Sequence, residues 1–139
     1  MWINRANTIT ALSGFLEKVG KTIEVRADGT MIIPLADVFQ EQKLEGMDFH
    51  KTVLIWANFQ EAHLRWSSFE GSKLDQAIFC KAIAPQTDFS YTSAEGTDFS
   101  EACLVGSTFA YSRLKFAKFN FFCFMSFFDI FRYSTKLIW

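Results

Sequence analysis

Cysteine, histidine and charge of a single sign are all scarce in this sequence, and each scarcity removes a class of function. There are three cysteines, an odd number with no paired-thiol spacing, so no disulfide framework is indicated and a reducing cytoplasm is the expected setting. Lys and Arg number 14 against 15 Asp and Glu, for a net charge of −1 with no block of like charge. That balance speaks against a nucleic-acid-binding basic stripe and, overall, against a strongly acidic decoy. No run of about twenty apolar residues exists to span a bilayer, and the richest stretch, 119–131, is too short. Asn4, Arg5, Asn7, Thr8 and Thr10 interrupt the start of the chain, so no signal peptide is expected. Neither a Gly-rich phosphate loop nor a nucleophile, base and orienting group can be recognised. The expectation is a protein that is not an enzyme and takes no cofactor or metal.

What the chain has in abundance is phenylalanine, 17 residues of it, arranged with a period. Phe39, Leu44, Phe49, Leu54, Phe59, Leu64, Phe69, Leu74, Phe79, Ala84, Phe89, Ala94, Phe99, Leu104, Phe109, Leu114, Phe119 and Phe124 recur every five residues without a break. Two positions before each lies a second, mostly small register: Thr52, Ala57, Ala62, Ser67, Ser72, Ala77, Ala82, Thr87, Thr92, Thr97, Ala102, Ser107, Ser112 and Ala117. Asp37, Gln42, Met47 and Phe122 depart from it, all in the outermost repeats, as atypical terminal repeats of a solenoid do.

This period excludes the ordinary elements. A step of five turns an α-helix by roughly 140°, which scatters the large residues around its axis. In a strand the same odd step throws successive large residues onto opposite faces. What remains is a chain that makes a short extended piece, turns a corner and starts again, sending each large residue to one shared interior. The residue two positions earlier points the same way, where only a small side chain fits beside a Phe. Polar residues such as Asp48, Lys51, Asn58, Glu61, Arg65 and Lys73 fill the remaining positions, and Gly46, Gly71, Gly96 and Gly106 share one corner register.

Thr87-Asp88-Phe89-Ser90, Thr97-Asp98-Phe99-Ser100, Ala57-Asn58-Phe59-Gln60 and Ser72-Lys73-Leu74-Asp75 resemble the repeat of the pentapeptide-repeat protein family. The resemblance covers about ninety of the 139 residues in one frame. It implies an all-β solenoid, a right-handed quadrilateral parallel β-helix of about four and a half coils, with residues twenty apart stacked at roughly 4.8 Å. Sorted that way, one interior column is Phe39, Phe59, Phe79, Phe99, Phe119 and the opposite one Phe49, Phe69, Phe89, Phe109. The columns between are Leu44, Leu64, Ala84, Leu104, Phe124 and Leu54, Leu74, Ala94, Leu114.

Three segments follow: a cap over 1–36, the repeat over 37–126 and a tail over 127–139. Ile9, Leu12, Phe15, Leu16 and Val19 have helical spacing, with Asn7 or Thr8 as N-cap and Gly20 as stop, which predicts a short amphipathic helix. Residues 22–25 and 30–33 around Ala27-Asp28-Gly29 predict a hairpin, and Pro34 marks the change of regime. Helix and hairpin are expected to cover the open first coil, with docking of a partner as the alternative. The tail, with Phe131, Tyr133, Leu137, Ile138 and Trp139, is expected to cap the last coil or to join two chains as a homodimer, the role a C-terminal segment has in some members of the resembled family.

Ala84 and Ala94 replace leucines in one coil, with Pro85 between them. The expectation is local collapse, with Ile83 or Ile78 helping to fill the space, rather than a ligand cavity. His63, Ile83, Cys103 and Cys123 fall in one outward column. Two thiols and one distant histidine make a poor zinc shell, so surface thiols without function are expected there.

Trp56, Trp66, Tyr91, Tyr111, Phe116 and Phe121 lie at the solvent-facing corner register, and Trp56, Trp66, Tyr91, Tyr111 and Phe116 are the candidates for protein contact. Mutual stacking that stiffens the coil is the alternative reading of the same residues. The expected function is a non-enzymatic protein–protein interaction scaffold with an unidentified protein partner and no direct nucleic-acid binding. The resemblance also implies an alternative, a DNA-mimicking protein that protects topoisomerases such as gyrase from quinolones. Over 37–126 eleven acids stand among eight bases, a difference of only −3, and the mixed signs weaken that alternative.

Overall fold

In the computed structural model, which describes residues 4–18, 20–33 and 39–120, the backbone turns at every fifth position. The turn is closed by an i to i+3 hydrogen bond: Gln42 N–H donates to Phe39 O at 3.2 Å, Ala62 N–H to Phe59 O at 3.0 Å and Ala82 N–H to Phe79 O at 3.0 Å. Its third residue has positive φ, as a type II turn requires. Every fifth residue from Glu41 to Phe116 does so, and most are not glycine: φ is 60° at Glu41, 64° at Trp56, 62° at Trp66 and 58° at Tyr91. Each such residue costs roughly 1–2 kcal/mol of local strain. A regular ladder offsets it.

That ladder joins residues twenty apart. Leu44 N–H donates to His63 O at 2.8 Å and His63 N–H to Gln42 O at 2.9 Å; one step on, Leu64 N–H donates to Ile83 O at 2.7 Å and Ile83 N–H to Ala62 O at 2.9 Å. Parallel bridges follow the same offset, from Lys43↔His63 through His63↔Ile83 and Ile83↔Cys103 to Asp98↔Lys118. Between a residue and its neighbour on the next coil lie four corners, as Glu41, Gly46, Lys51 and Trp56 lie before Glu61. The chain is thus a β-helix-like solenoid. Its walls are not continuous strands, however. A turn every five residues leaves room for one bridged residue per side, so among the described residues of the repeat only Thr52–Val53 lengthens into a strand, β3.

Inside, the Phe rings stack along the axis. Phe39–Phe59, Phe59–Phe79, Phe79–Phe99 and Phe99–Phe119 have centroids 4.8, 4.8, 5.1 and 5.1 Å apart. Phe49–Phe69, Phe69–Phe89 and Phe89–Phe109 stack at 4.9, 5.2 and 4.9 Å. The two columns meet edge to face across the interior, for instance Phe69–Phe79 at 5.5 Å, the arrangement favoured by ring quadrupoles. Leu44, Leu54, Leu64, Leu74, Leu104 and Leu114 are buried between them, as are Ala84 and Ala94; Phe119 is partly buried.

The expectation that Ile78 or Ile83 fills the space beside the alanines is corrected: they are 37% and 42% exposed. Each lies between two inward residues of an extended piece, Ala77 and Phe79 or Ala82 and Ala84, and alternation turns it outward.

The small register does more than make room. Ser67, Ser72, Thr87, Thr97 and Ser107 are buried, and their hydroxyls donate to Leu44, Phe49, Leu64, Leu74 and Ala84 carbonyls on the preceding coil at 2.8, 2.6, 2.8, 2.7 and 2.7 Å. Among the described residues no buried side-chain nitrogen or oxygen lacks a hydrogen-bond partner.

Ahead of the repeat come helix α1 (Arg5–Glu17) and strands β1 (Glu24–Val25) and β2 (Met31–Ile32). The N-cap is Asn4, not Asn7 or Thr8: Asn4 Oδ1 accepts from Asn7 N–H at 2.9 Å. Thr8 is committed elsewhere, its Oγ1 accepting from Asp48 N–H at 2.9 Å. The C-terminus of α1 closes through Lys21 N–H to Leu16 O at 3.0 Å and Gly20 N–H to Glu17 O at 3.1 Å, with Gly20 at φ +70°, a Schellman arrangement. The docked face of α1 is only partly apolar. Leu12 and Leu16 are buried with Thr8, and Arg5 reaches His50 O at 2.6 Å, Gly29 O at 2.9 Å and Asp48 O at 3.3 Å. Burial pushes the Arg5 guanidinium below its usual pKa, and the Asp48 carboxylate opposes that shift.

Strands β1 and β2 pair antiparallel, and β2 continues in parallel onto β3, Met31 opposite Thr52, so the hairpin joins the solenoid's ladder. Val19, the Phe15 side chain, Pro34, Asp37, Phe121, Phe122, Cys123, Phe124 and the 127–139 tail lie outside the described residues.

Candidate functional site

The corner residues form columns of their own. Trp56 leads to Gln76, Gly96 and Phe116; Lys51 to Gly71, Tyr91 and Tyr111; Gly46 to Trp66, Gln86 and Gly106. Trp56 and Phe116 are 70% and 77% exposed, yet Gln76 and Gly96 stand between them. Of the corner aromatics among the described residues only Tyr91 and Tyr111 touch, stacked with centroids 4.9 Å apart and planes 8° from parallel. Trp66 stands on a third corner. The structure therefore brings two of the five candidates together and distributes the others.

The wall that ends at Trp66 is different in kind. Its outward positions carry His63, Ile83 and Cys103 in one column and Arg65, Pro85 and Val105 in the next. Ile83, Val105 and Trp66 are 42%, 43% and 38% exposed, so three large apolar side chains face water on one side of the solenoid. Trp66 is held: its Nε1–H donates to Gln86 Oε1 at 2.5 Å, and the Arg65 guanidinium lies 5.2 Å from the ring centroid, in cation–π range. His63 Nδ1 is 3.8 Å from Glu45 Oε1. Glu45, His63, Arg65, Trp66 and Ile83 line a hollow of about 490 Å³.

The wall offers shape and apolar area with a charged rim. Among the described residues no group of three or more His, Cys, Asp or Glu is placed to hold a metal ion. Cys80 and Cys103 are both half-buried. Burial pushes the Cys80 thiol above its usual pKa, and the carboxylates of Asp98 and Glu101 push it further.

The corner register alone leaves out the exposed Ile83 and Val105. The signal was present in the twenty-residue columns: His63, Ile83, Cys103 beside Arg65, Pro85, Val105 is an outward surface with few charges.

The model of the family described as pentapeptide repeats matches eight copies over residues 38–71, 57–92 and 72–110. Among solved structures, a pentapeptide repeat protein from the thylakoid lumen of Arabidopsis thaliana is 32% identical, with a TM-score of 0.58 over 60% of this chain. The chain spans 61% of that protein's length. Rfr23, a pentapeptide repeat protein of the cyanobacterium Cyanothece 51142, is 16% identical with a TM-score of 0.31, covering 70% of this chain and 60% of its own. HetL, a pentapeptide repeat protein involved in heterocyst differentiation regulation in the cyanobacterium Nostoc, is 18% identical with a TM-score of 0.35, covering 62% and 48%. A search of curated protein sequences finds no match.

Proposed function

The chain belongs to the pentapeptide-repeat family, and from that premise we propose that it is a non-enzymatic interaction module whose binding face is the wall carrying Trp66, Ile83 and Val105. The observation behind this reading is the exposure of those three apolar side chains on one wall, with Arg65 packed on Trp66. Water is displaced from such a patch at a gain of about 25 cal/mol per Å². Trp and Arg are also the residue types that dominate binding energy at protein interfaces.

Affinity capture from a cell extract, comparing the natural protein with Trp66→Ala and Ile83→Ser, tests it. Both outward substitutions are expected to leave the fold intact and to weaken retention of the partner at least tenfold, roughly the size of a hot-spot loss. Trp56→Ala, on another corner, is expected to leave it unchanged. Retention that is indifferent to Trp66 and Ile83 dismisses this face.

The finer architecture belongs to the same proposal. The solenoid is right-handed and winds about four and a half coils over 37–126; α1 and the hairpin of segment 1–36 cap its first coil; the tail over 127–139 caps the last or joins two chains. Light scattering on the chain with and without 127–139 separates those two roles, since only the second changes the mass of the particle. Cytoplasmic residence is the accompanying expectation, checked by fractionation.

The DNA-mimicking, topoisomerase-protecting alternative draws on one corner column, Glu41, Glu61, Lys81 and Glu101, which Lys81 interrupts. A gyrase supercoiling assay unchanged by the protein, with and without quinolone, removes it.

A further inference from the structure

On the corner column Lys51, Gly71, Tyr91, Tyr111, the side chains present a gap one coil high. Tyr111 covers one face of the Tyr91 ring at 4.9 Å, and Tyr91 is still 58% exposed. At Gly71 no side chain continues the stack. A hollow of about 300 Å³ lies there, lined by His50, Lys51, Glu70, Gly71 and Tyr91. Lys51 and Tyr91 are two coils apart, or about 9.6 Å at the usual strand spacing, which seats one planar ring about 4.8 Å from each. Only the flexible Lys51 stem leans over the gap, its Cγ 3.6 Å from where a Gly71 Cβ would stand.

We infer that this notch receives a single aromatic side chain, Trp or Tyr, from a protein partner, as the next ring in the Tyr91–Tyr111 stack. The inference rests on the proposed interaction role and adds a second contact point, on a different corner from Trp66. The chemistry selects the occupant. One face of the incoming ring lies on Tyr91 and the other beneath the Lys51 ammonium, the same pairing that Lys115 makes with Phe116 at 5.1 Å. A guanidinium, also planar, would meet the Lys51 charge. Glu70 at the rim accepts from an indole N–H or a phenol O–H, which favours Trp and Tyr over Phe.

The test titrates N-acetyl-tryptophanamide into the full chain and follows amide shifts by NMR. Saturable ring-current shifts centred on Gly71 and Glu70 are expected, with no such response to N-acetyl-argininamide. Tyr91→Ala is expected to weaken the interaction about tenfold and Lys51→Ala about two- to fivefold. Gly71→Tyr, which fills the gap with the chain's own ring, is expected to abolish it. That variant is compatible with the backbone, because Tyr91 and Tyr111 already adopt φ 58° at the same corner where Gly71 has φ +66°. Shifts that persist in Tyr91→Ala, or adenosine or the arginine derivative binding the notch as tightly as the tryptophan derivative, would overturn the assignment. Partner capture that survives Gly71→Tyr but is lost in Trp66→Ala sinks the notch and leaves the Trp66 wall standing. Capture lost in Gly71→Tyr but indifferent to Trp66→Ala does the reverse.

Discussion

Phe79 touches Phe59 and Phe99 face to face, at 4.8 and 5.1 Å, and Phe69 and Phe89 edge to face, both at 5.5 Å. Its backbone is tied to the next coil, through Phe79 N–H to Asp98 O at 2.7 Å, so the walls cannot close over a hole. Phe79→Ala is therefore expected to cost about 3–5 kcal/mol, read as a lower urea midpoint. Thr97→Val tests a smaller effect at the same scale. The Leu74 carbonyl loses the Thr97 hydroxyl but keeps its turn bond from Ala77 N–H, so the loss should be about 1 kcal/mol. Cys80 gives a pH-dependent readout. Burial, then Asp98 and Glu101, raise its pKa in the folded state, so the folded protein favours the thiol. The stability this confers is complete below the unfolded-state pKa and is lost as pH rises through the folded one. At pH 8 Cys80 should alkylate more slowly than a free cysteine, and Asp98→Asn should speed it.

At the scale of elements, the junction between α1 and the solenoid depends on few groups. Arg5 ties the helix to His50 O and Asp48 O on the first coil and to Gly29 O in the hairpin. Arg5→Ala removes these charge-assisted bonds together and is expected to destabilise the helix–hairpin segment by about 2–3 kcal/mol. Limited proteolysis should then cleave near Gly29 while the repeat stays intact; an unchanged cleavage pattern would show that Leu12 and Leu16 hold the helix unaided. This junction also marks where the sequence was hard to read. Arg5 and Thr8 look like polar interruptions of a helical stripe, yet they are part of its docked face, because the partners His50 and Asp48 lie 45 and 40 residues away. The cap at Asn4 is hidden for a related reason: Thr8, one of the two candidates with Asn7, is used on Asp48. The periodic part was legible, since one bulky residue per turn can be shared only by a coil of fixed pitch. The hydroxyl bonds of Ser67, Ser72 and Thr97 were not, because steric fit alone accounts equally well for Ala.

For the whole molecule, stability in a stacked coil is a sum over neighbours, so protection should vary along the axis. Hydrogen exchange is expected to be slowest at amides of the central coils, such as Phe69, Leu74 and Phe79, whose bonds run to coils covered on both sides, and faster toward Leu114. Uniform protection from Leu44 to Leu114 would contradict neighbour-by-neighbour coupling. The proposed binding surface is legible at this scale: Ile83, Val105 and Trp66 are dispersed in the sequence and come to one wall once the twenty-residue offset is known.

Glu, Lys, Trp, Gln, Tyr and Phe all stand at the left-handed position with nearly the same φ. Backbone shape there does not depend on which of them is present, so a lineage can rewrite these letters one at a time while the frame that spaces them stays put. Specificity in such a molecule can drift or be engineered as text on a fixed grid, separately from the selection that keeps it folded.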